Sequence, residues 1–270
     1  MTSDDDVLAR ASDLMRVRRY GDAFDLLQPA TSTLPANWNV LYLAGQCRRF
    51  LEDFDGAVDL LQRAADAAPS VAAVYLALGI ALQLRGNLEE ASGALVRAIE
   101  IDADYALAFN SLAMTQQLKG DLDQAAHNYD AGCKALGRRI MKGMRNDPRN
   151  RIFKHRDTRG RLWMDCAIYA ASAQVAADHT IQGLAWPTAE LAAEEERTEA
   201  RGGLYWEDTT DKDAHTVRLF LPNYVNTFRE SLKQDSTYSN LIGNRSTVLD
   251  LLGRDAEARL HRDEADEFMP

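Results

Sequence analysis

The histidines and cysteines of this sequence, which could carry out nucleophilic or metal chemistry, are few and widely spaced. Neither the HExxH pattern nor another metal-ligand spacing links its histidines. Cys166 and His179 share a predicted helix but lie more than three helical turns apart along it. They meet as nucleophile and base only if that helix breaks. The residues concerned are His127, His155, His179, His215 and His261, with Cys47, Cys133 and Cys166.

Two further patterns bear on catalysis. The stretch 206–213, WEDTTDKD, has neither the spacing nor the glycine of an EF-hand calcium loop. Neither common type of Gly-rich phosphate loop occurs in the sequence. The sequence therefore predicts a protein that is not an enzyme and that uses no cofactor or metal. The alternative left open is an enzyme built on residues 140–235, which a metal or ligand beside His179 or His215 would reveal.

A basic segment is a second kind of candidate site. Residues 138–161 contain ten Lys or Arg against two Asp, a local net charge of +8 in a chain whose net charge is −10. Asp147-Pro148 is expected to end the preceding helix, which puts the rest of the segment on an exposed connection. Phe153 and His155 offer stacking to nucleic-acid bases. The basic residues are Arg138, Arg139, Lys142, Arg145, Arg149, Arg151, Lys154, Arg156, Arg159 and Arg161.

Two interpretations of this basic segment remain open. It binds nucleic acid, or it neutralises the acidic surface of the protein itself or an acidic partner. We favour the second interpretation, because the surrounding negative field would repel phosphates. The overall negative charge also argues against general nucleic-acid binding, since such binding needs an excess of Lys and Arg.

Composition and the lack of long apolar segments indicate where in the cell the protein is expected to be. The chain has 46% hydrophobic and 27% charged residues, the balance of a soluble globular protein. No segment approaches the roughly 18 consecutive apolar residues of a membrane helix, and the N-terminal MTSDDDVLAR does not resemble a secretory signal. Three cysteines without a CxxC pair are typical of a reducing compartment. We expect a cytoplasmic protein without membrane insertion.

An internal repeat organises the first half of the chain. Four alanines follow one another at a constant interval, and three more columns of mostly small or apolar residues keep that same interval. The columns are Ala23, Ala57, Ala91 and Ala125; Ala11, Gly45, Gly79 and Ala113; Leu27, Leu61, Leu95 and Tyr129; and Ala30, Ala64, Ala98 and Gly132.

Each repeat is predicted to be a pair of helices. The first two small positions of a repeat, such as Gly79 and Ala91, belong to two helices that face each other, where small side chains let the backbones approach closely. Gly86-Asn87 and Gly120-Asp121 mark the turn between the two helices. Pro35 and Pro69 suit the turn between repeats. The apolar face of each hairpin is buried only when the next repeat stacks on it.

The period and the small-residue pattern resemble the tetratricopeptide repeat family. We place repeats 1 to 4 at 4–37, 38–71, 72–105 and 106–139. The resemblance implies an all-α fold, a right-handed solenoid of helical hairpins. Repeat 3 matches the signature positions of the family most fully, with Tyr75, Leu78, Gly79, Leu82, Ala91, Leu95 and Ala98.

The register is lost after residue 139. Apolar spacing predicts helices at 161–179, 187–201 and 214–233, which form an inserted helical subdomain. Residues 237–266 look like a degenerate fifth repeat, in which Gly243 and Ala256 are one position further apart than the matching pairs of the array, a slip in register. The predicted domains are the array at 4–139, a basic connection and helical insertion at 140–235, and the fifth repeat with a capping helix at 236–270.

The resemblance also implies a binding groove, because the first helix of each repeat lines the concave face in this family. The transferred positions are mostly apolar with interleaved amides, and they lack the Lys, Arg and Asn set that clamps a C-terminal carboxylate. Such a lining suits an amphipathic helix or a peptide of another protein. The positions are Asn39, Tyr42, Gln46, Arg49 and Phe50 in repeat 2; Leu76, Ile80, Gln83 and Leu84 in repeat 3; and Leu107, Asn110, Met114, Gln117 and Leu118 in repeat 4.

The chain is therefore interpreted as a protein-interaction scaffold or adaptor. Two occupants of the groove remain open, a partner protein and the second half of this same chain folding back. A homo-oligomer is also compatible with the sequence. If the groove positions lie at the surface, a charged residue in place of Leu76, Ile80 or Met114 is expected to weaken partner binding without unfolding the array.

Overall fold

The computed structural model describes residues 4–32, 37–146 and 230–267. Their regular structure is helical, and no strand occurs within these ranges. A short 3₁₀ turn spans Gln28–Ser32, and residues 230–234 are also helical. The longer helices are α1 (Asp4–Arg16), α2 (Tyr20–Leu27), α3 (Trp38–Phe50), α4 (Phe54–Ala67), α5 (Ala72–Arg85), α6 (Leu88–Ile101), α7 (Ala106–Lys119), α8 (Leu122–Asn146), α9 (Ser236–Leu251) and α10 (Asp255–Glu267).

Neighbouring helices pack as hairpins, and the hairpins stack in chain order. Helices α3 and α4 pack together, as do α5 and α6, and the second helix of each hairpin packs on the first helix of the next. First helices also contact each other along the series α1, α3, α5 and α7. The predicted all-α helical-hairpin solenoid is thus confirmed. The predicted inserted subdomain lies outside the described residues, except for the end of its last helix at 230–233, which is helical as predicted.

The chain divides into two compact bodies, Met1–Asn128 and Tyr129–Pro270. Helix α8 runs through the division, which falls before the predicted end of the array at residue 139. The first body contains α1 to α7, and the second contains α9 and α10. The domain boundaries given by the sequence stay predictions.

The small-residue column sits where two helices of one hairpin come closest. A Cβ atom added to Gly45 would lie 2.7 Å from Cγ of Leu61, and one added to Gly79 would lie 2.6 Å from Cγ of Leu95. Both leucines are fully buried, so neither can swing aside. The glycines therefore set the spacing of their hairpins, as the sequence pattern predicts.

The turn between the two helices has the same backbone in repeats 1 to 4. Gly86 and Gly120 take φ angles of 94° and 85°, the left-handed conformation that closes a helix C-terminus. Arg18 and Glu52 occupy the same column in repeats 1 and 2, with φ angles of 60° and 62°. A residue with a Cβ atom is strained there, by about 1–2 kcal/mol. The first two turns thus lack the glycine that the later two have.

The fifth hairpin keeps the spacing of the others. Helices α9 and α10 pack together around Gly253, whose φ is 70°. Counting from this glycine, the small positions are Ser246 and Ala258, which are both buried and have the same separation as the matching pairs in repeats 1 to 4.

The expected slip by one residue in this hairpin is therefore wrong. It rested on Gly243 and Ala256. Ala256 is exposed, and a Cβ atom on Gly243 would make only an ordinary contact, 4.0 Å from Cβ of Ala265.

Replacing Gly79 with alanine tests the close approach of helices α5 and α6. We expect Gly79→Ala to lower the free energy of unfolding by about 1–3 kcal/mol, because the new methyl group overlaps the buried Leu95 side chain. The measurement is urea unfolding followed by circular dichroism. Gly93→Ala is the matched control: Gly93 lies in α6 with open space around it, so alanine should raise stability by up to about 1 kcal/mol. Equal effects of the two substitutions would contradict this account.

Replacing Glu52 with glycine tests the strained turn. We expect Glu52→Gly to stabilise the array by about 0.5–1 kcal/mol, because the relief of the left-handed strain exceeds the added entropy of the unfolded chain. At the matching turn of repeat 3, Gly86→Ala introduces this strain and should destabilise the array by a similar or larger amount. Thermal unfolding of the two variants measures both effects, and destabilisation by Glu52→Gly would refute the assignment.

Candidate functional site

The predicted groove positions lie on α3, α5 and α7, and we call these positions the first-helix surface. Because first helices contact each other directly along the array, their positions form one continuous surface. The large apolar side chains of the surface that are exposed are Phe50, Leu84, Leu107, Met114 and Leu118. The remaining positions except Leu76 are half-buried; they are Asn39, Tyr42, Gln46, Arg49, Ile80, Gln83, Asn110 and Gln117.

Three of these exposed side chains form a regular row. Phe50, Leu84 and Leu118 recur with the period of the repeat, so each ends or nearly ends the first helix of its own repeat. Leu84 is 49% and Leu118 63% exposed. Exposed apolar side chains that recur at the same place in stacked repeats make a patch rather than scattered residues, and such patches mark interaction sites.

The repeat 2 end of the surface is aromatic. The ring of Phe50 stacks on Tyr20 of α2, with centroids 4.4 Å apart, and the Arg49 guanidinium carbon lies 4.1 Å from the Phe50 ring centroid. Tyr20 was missed by the sequence reasoning, because it starts a second helix in a column that Phe54, Leu88 and Leu122 continue as ordinary apolar positions. The only feature of Tyr20 that could have indicated a surface role is its aromatic side chain.

Amide side chains link the polar positions on α3. Gln46 donates from Nε2 to the Tyr42 hydroxyl at 3.3 Å and accepts at Oε1 from Arg49 Nε at 2.8 Å. On α7, Asn110 Nδ2 lies 3.6 Å from the Met114 sulfur. The α3 bonds hold Arg49 and Tyr42 in fixed positions beside the aromatic pair.

Leu76 differs from the other groove positions. It is only 8% exposed and lies in a core cluster with Leu95, Ala98, Ala108 and Leu112. Ile80 is half-buried and packs against the same cluster, whereas Met114 is 41% exposed. A charged residue in place of Leu76 is therefore not expected to leave the fold intact, because the Leu76 side chain packs against the next repeat.

Part of the basic segment is described. Helix α8 continues to Asn146 and carries Arg138, Arg139, Lys142 and Arg145. Within the second body, Arg139 pairs with Asp235 at 2.9 Å. For this one residue the ion pair agrees with the favoured interpretation, in which the basic segment neutralises acidic groups of the protein itself. Arg149, Arg151, Lys154, Arg156 and the remaining basic residues lie outside the described residues.

The described titratable groups offer little reactive chemistry. Burial raises the pKa of the Cys47 thiol to about 11 and that of the Tyr129 phenol to about 12, so both stay protonated near neutral pH. No group of three or more His, Cys, Asp or Glu able to hold a metal occurs among the described side chains. His155, His179, His215 and Cys166 lie outside the described ranges.

Replacing Leu76 with aspartate tests whether residue 76 belongs to the core or to the surface. We expect Leu76→Asp to unfold the array or to destabilise it by several kcal/mol, because it places an unpaired carboxylate in an apolar cluster. Leu118→Asp, at a position that is 63% exposed, should change stability by less than about 0.5 kcal/mol. Chemical unfolding of both variants measures the difference, and a tolerant Leu76→Asp would show that residue 76 is a surface position.

Comparison with protein families agrees with the repeat assignment in the middle of the array. The tetratricopeptide repeat family model matches residues 51–115, from the end of α3 into α7. No curated protein matches the chain. Within the described residues, no helix has the length and apolar character needed to cross a membrane.

Solved structures similar to this chain include a crystal structure of MamA, with 20% identity over 50% of this chain and 80% of that one, and a TM-score of 0.47. MamA 41-end from Desulfovibrio magneticus RS-1 shares 20% identity, over 49% and 75% of the two chains, with a TM-score of 0.46. TTC0263, a thermophilic TPR protein in Thermus thermophilus, shares 20% identity over 50% and 75%, with a TM-score of 0.44. The family match, together with hairpins that stack in one repeating register, identifies residues 51–115 as tetratricopeptide repeats.

Proposed function

We propose that this chain is a protein-interaction scaffold that binds a peptide or a helix of a partner protein on the first-helix surface of repeats 2 to 4. The observation that carries the proposal is the row of exposed Phe50, Leu84 and Leu118, which recurs with the repeat. Repeat proteins use such extended surfaces for binding. Met114 and Leu107 extend the apolar area on α7.

The binding mechanism is burial of apolar side chains on a preformed surface. The row stands on helices whose other faces are packed into the core, as Val74, Leu82 and Leu112 illustrate. Little ordering of the scaffold is then needed on association, which removes one of the main entropic costs of binding. The amides Gln83 and Gln117 stand next to Leu84 and Leu118 and can pair with polar groups of a bound segment.

Other predictions from the sequence stay predictions. These are the cytoplasmic location, the absence of catalysis, the possible homo-oligomer and the alternative of a nucleic-acid-associated factor using residues 138–161. The ion pair of Arg139 with Asp235 does not favour that alternative, because it occupies one of the cations that phosphates would need.

Aspartate substitutions in the exposed row test the proposed surface. We expect Leu84→Asp and Leu118→Asp each to weaken partner binding about tenfold or more, because each removes apolar burial and adds a charge to be desolvated. The full-length variants serve as baits in lysate of the source organism. Quantitative mass spectrometry compares the amount of each partner bound by a variant with the amount bound by the wild type.

Val96→Asp is the matched control for this experiment. Val96 is 43% exposed but lies on α6, the second helix of its hairpin, so the proposal requires it to capture partners like the wild type. Thermal unfolding confirms that all three variants are folded. If partners are lost from the Val96 variant and kept by the Leu84 and Leu118 variants, recognition lies on the second helices and the proposal fails.

A further inference from the structure

Acidic side chains are absent from the first helices of repeats 2 to 4 and present on the second helices of repeats 2 and 3. Helices α3, α5 and α7 contain no Asp or Glu, and their polar positions carry amides, hydroxyls or basic groups instead. The second helices α4 and α6 carry the carboxylates, with Asp55, Asp59 and Asp66 on α4 and Glu89, Glu90 and Glu100 on α6. In a chain with a net charge of −10, the first-helix surface thus bears no carboxylate of its own that would repel an acidic ligand.

Basic residues end all three of these first helices, and most of them are already paired. Arg48 pairs with Asp53. Arg85 lies 3.6 Å from Asp55 of the preceding repeat, and Lys119 lies 2.9 Å from Glu89 of the preceding repeat. Arg85 and Lys119 help to join one repeat to the next, and none of these three cations is available to a ligand without breaking an existing contact.

Arg49 differs from its neighbours. Its contacts are the hydrogen bond from Nε to Gln46 and the approach to the Phe50 ring, and no carboxylate among the described side chains forms an ion pair with it. Burial lowers the pKa of this guanidinium, an effect that Tyr42 and Tyr20 oppose. A half-buried cation without a counter-charge is unfavourable in the free protein and gains from a carboxylate supplied by a ligand.

The orientation of Arg49 is also fixed in advance. Gln46 holds Nε, and the Phe50 ring lies against the guanidinium carbon at 4.1 Å. The Nη groups remain as donors in a planar fork, the geometry that matches a carboxylate with two parallel hydrogen bonds. Little side-chain entropy is lost when such a fork binds, since it is already held from two sides.

We infer that the first-helix surface recognises an acidic amphipathic segment of a partner protein, in which an Asp or Glu side chain pairs with Arg49 and neighbouring apolar side chains pack on Phe50, Leu84 and Leu118. This inference rests on the proposed function and adds to it the chemistry of the partner. It requires a side-chain carboxylate next to apolar anchors and does not require a free C-terminus.

Selection from a random peptide library tests the inference without knowledge of the natural partner. The full-length protein and its Arg49→Gln variant are each used to select from a phage-displayed library. We expect the wild type to enrich peptides that combine Asp or Glu with apolar residues at helical spacing, and the variant to enrich apolar peptides without the acidic preference.

A direct binding measurement follows on an enriched peptide synthesised with an amidated C-terminus. Replacing its acidic residue with the matching amide should weaken binding to the wild type about tenfold, and Arg49→Gln should make both peptides bind alike. Arg49→Lys keeps the charge, so it should retain part of the acidic preference. Arg85→Gln is the matched control, because Arg85 already pairs with Asp55 and Glu90; it should leave the preference within about twofold of the wild type.

The outcomes separate this inference from the proposed function. Apolar peptides enriched without acidic residues, or a preference that survives Arg49→Gln in a folded protein, would overturn the inference while leaving the surface in place. A need for the free C-terminus would assign the carboxylate to the chain end and overturn it as well. Enrichment that Leu84→Asp and Leu118→Asp leave unchanged would overturn the proposed function itself.

Discussion

The close approach of two helices within each hairpin is the constraint on which the rest of the array depends. At Gly45 and Gly79 the backbones come so near to Leu61 and Leu95 that a single methyl group does not fit. This contact fixes where the second helix stands relative to the first and therefore which face each presents to the next hairpin. Phe50 and Leu84 stand on the two hairpins that have this contact, and Ala113 takes the place of the glycine in the hairpin of Leu118.

Because the two helices of a hairpin have fixed and different surroundings, they can carry different types of exposed side chain. The second helices hold most of the acidic side chains and some of the ion pairs between repeats, such as that of Glu89 with Lys119. In repeats 2 to 4 the first helices carry apolar groups, amides, hydroxyls and a few basic residues, Arg49 among them, but no carboxylate. An interaction surface of this kind needs no loop or pocket of its own, since ordinary helix positions produce it once the hairpins stack.

The sequence predicted the array well because its determinants are periodic. Columns of small residues revealed the helix pairs, and the exposed positions of α3 and α7 followed from the family pattern. Three features were not accessible in this way. Leu76 belongs to the core because residue 76 faces the next repeat, which depends on packing between repeats rather than on residue type. The left-handed turns at Arg18 and Glu52 carry no glycine to mark them. The fifth hairpin was misaligned because Gly243 looked like a spacing glycine, whereas Ser246 holds that place.

The turn geometry of repeats 1 and 2 also affects how the array comes apart. In a stacked array each hairpin is held mainly by its neighbours, so hairpins can open locally instead of all at once. The first body has its strained turns, at Arg18 and Glu52, in the two hairpins nearest its N-terminal end, while glycines close the turns of repeats 3 and 4. Strain at Arg18 and Glu52 lowers the free energy needed to open the turns of repeats 1 and 2, and Tyr20, which stacks on Phe50, follows the first of these turns.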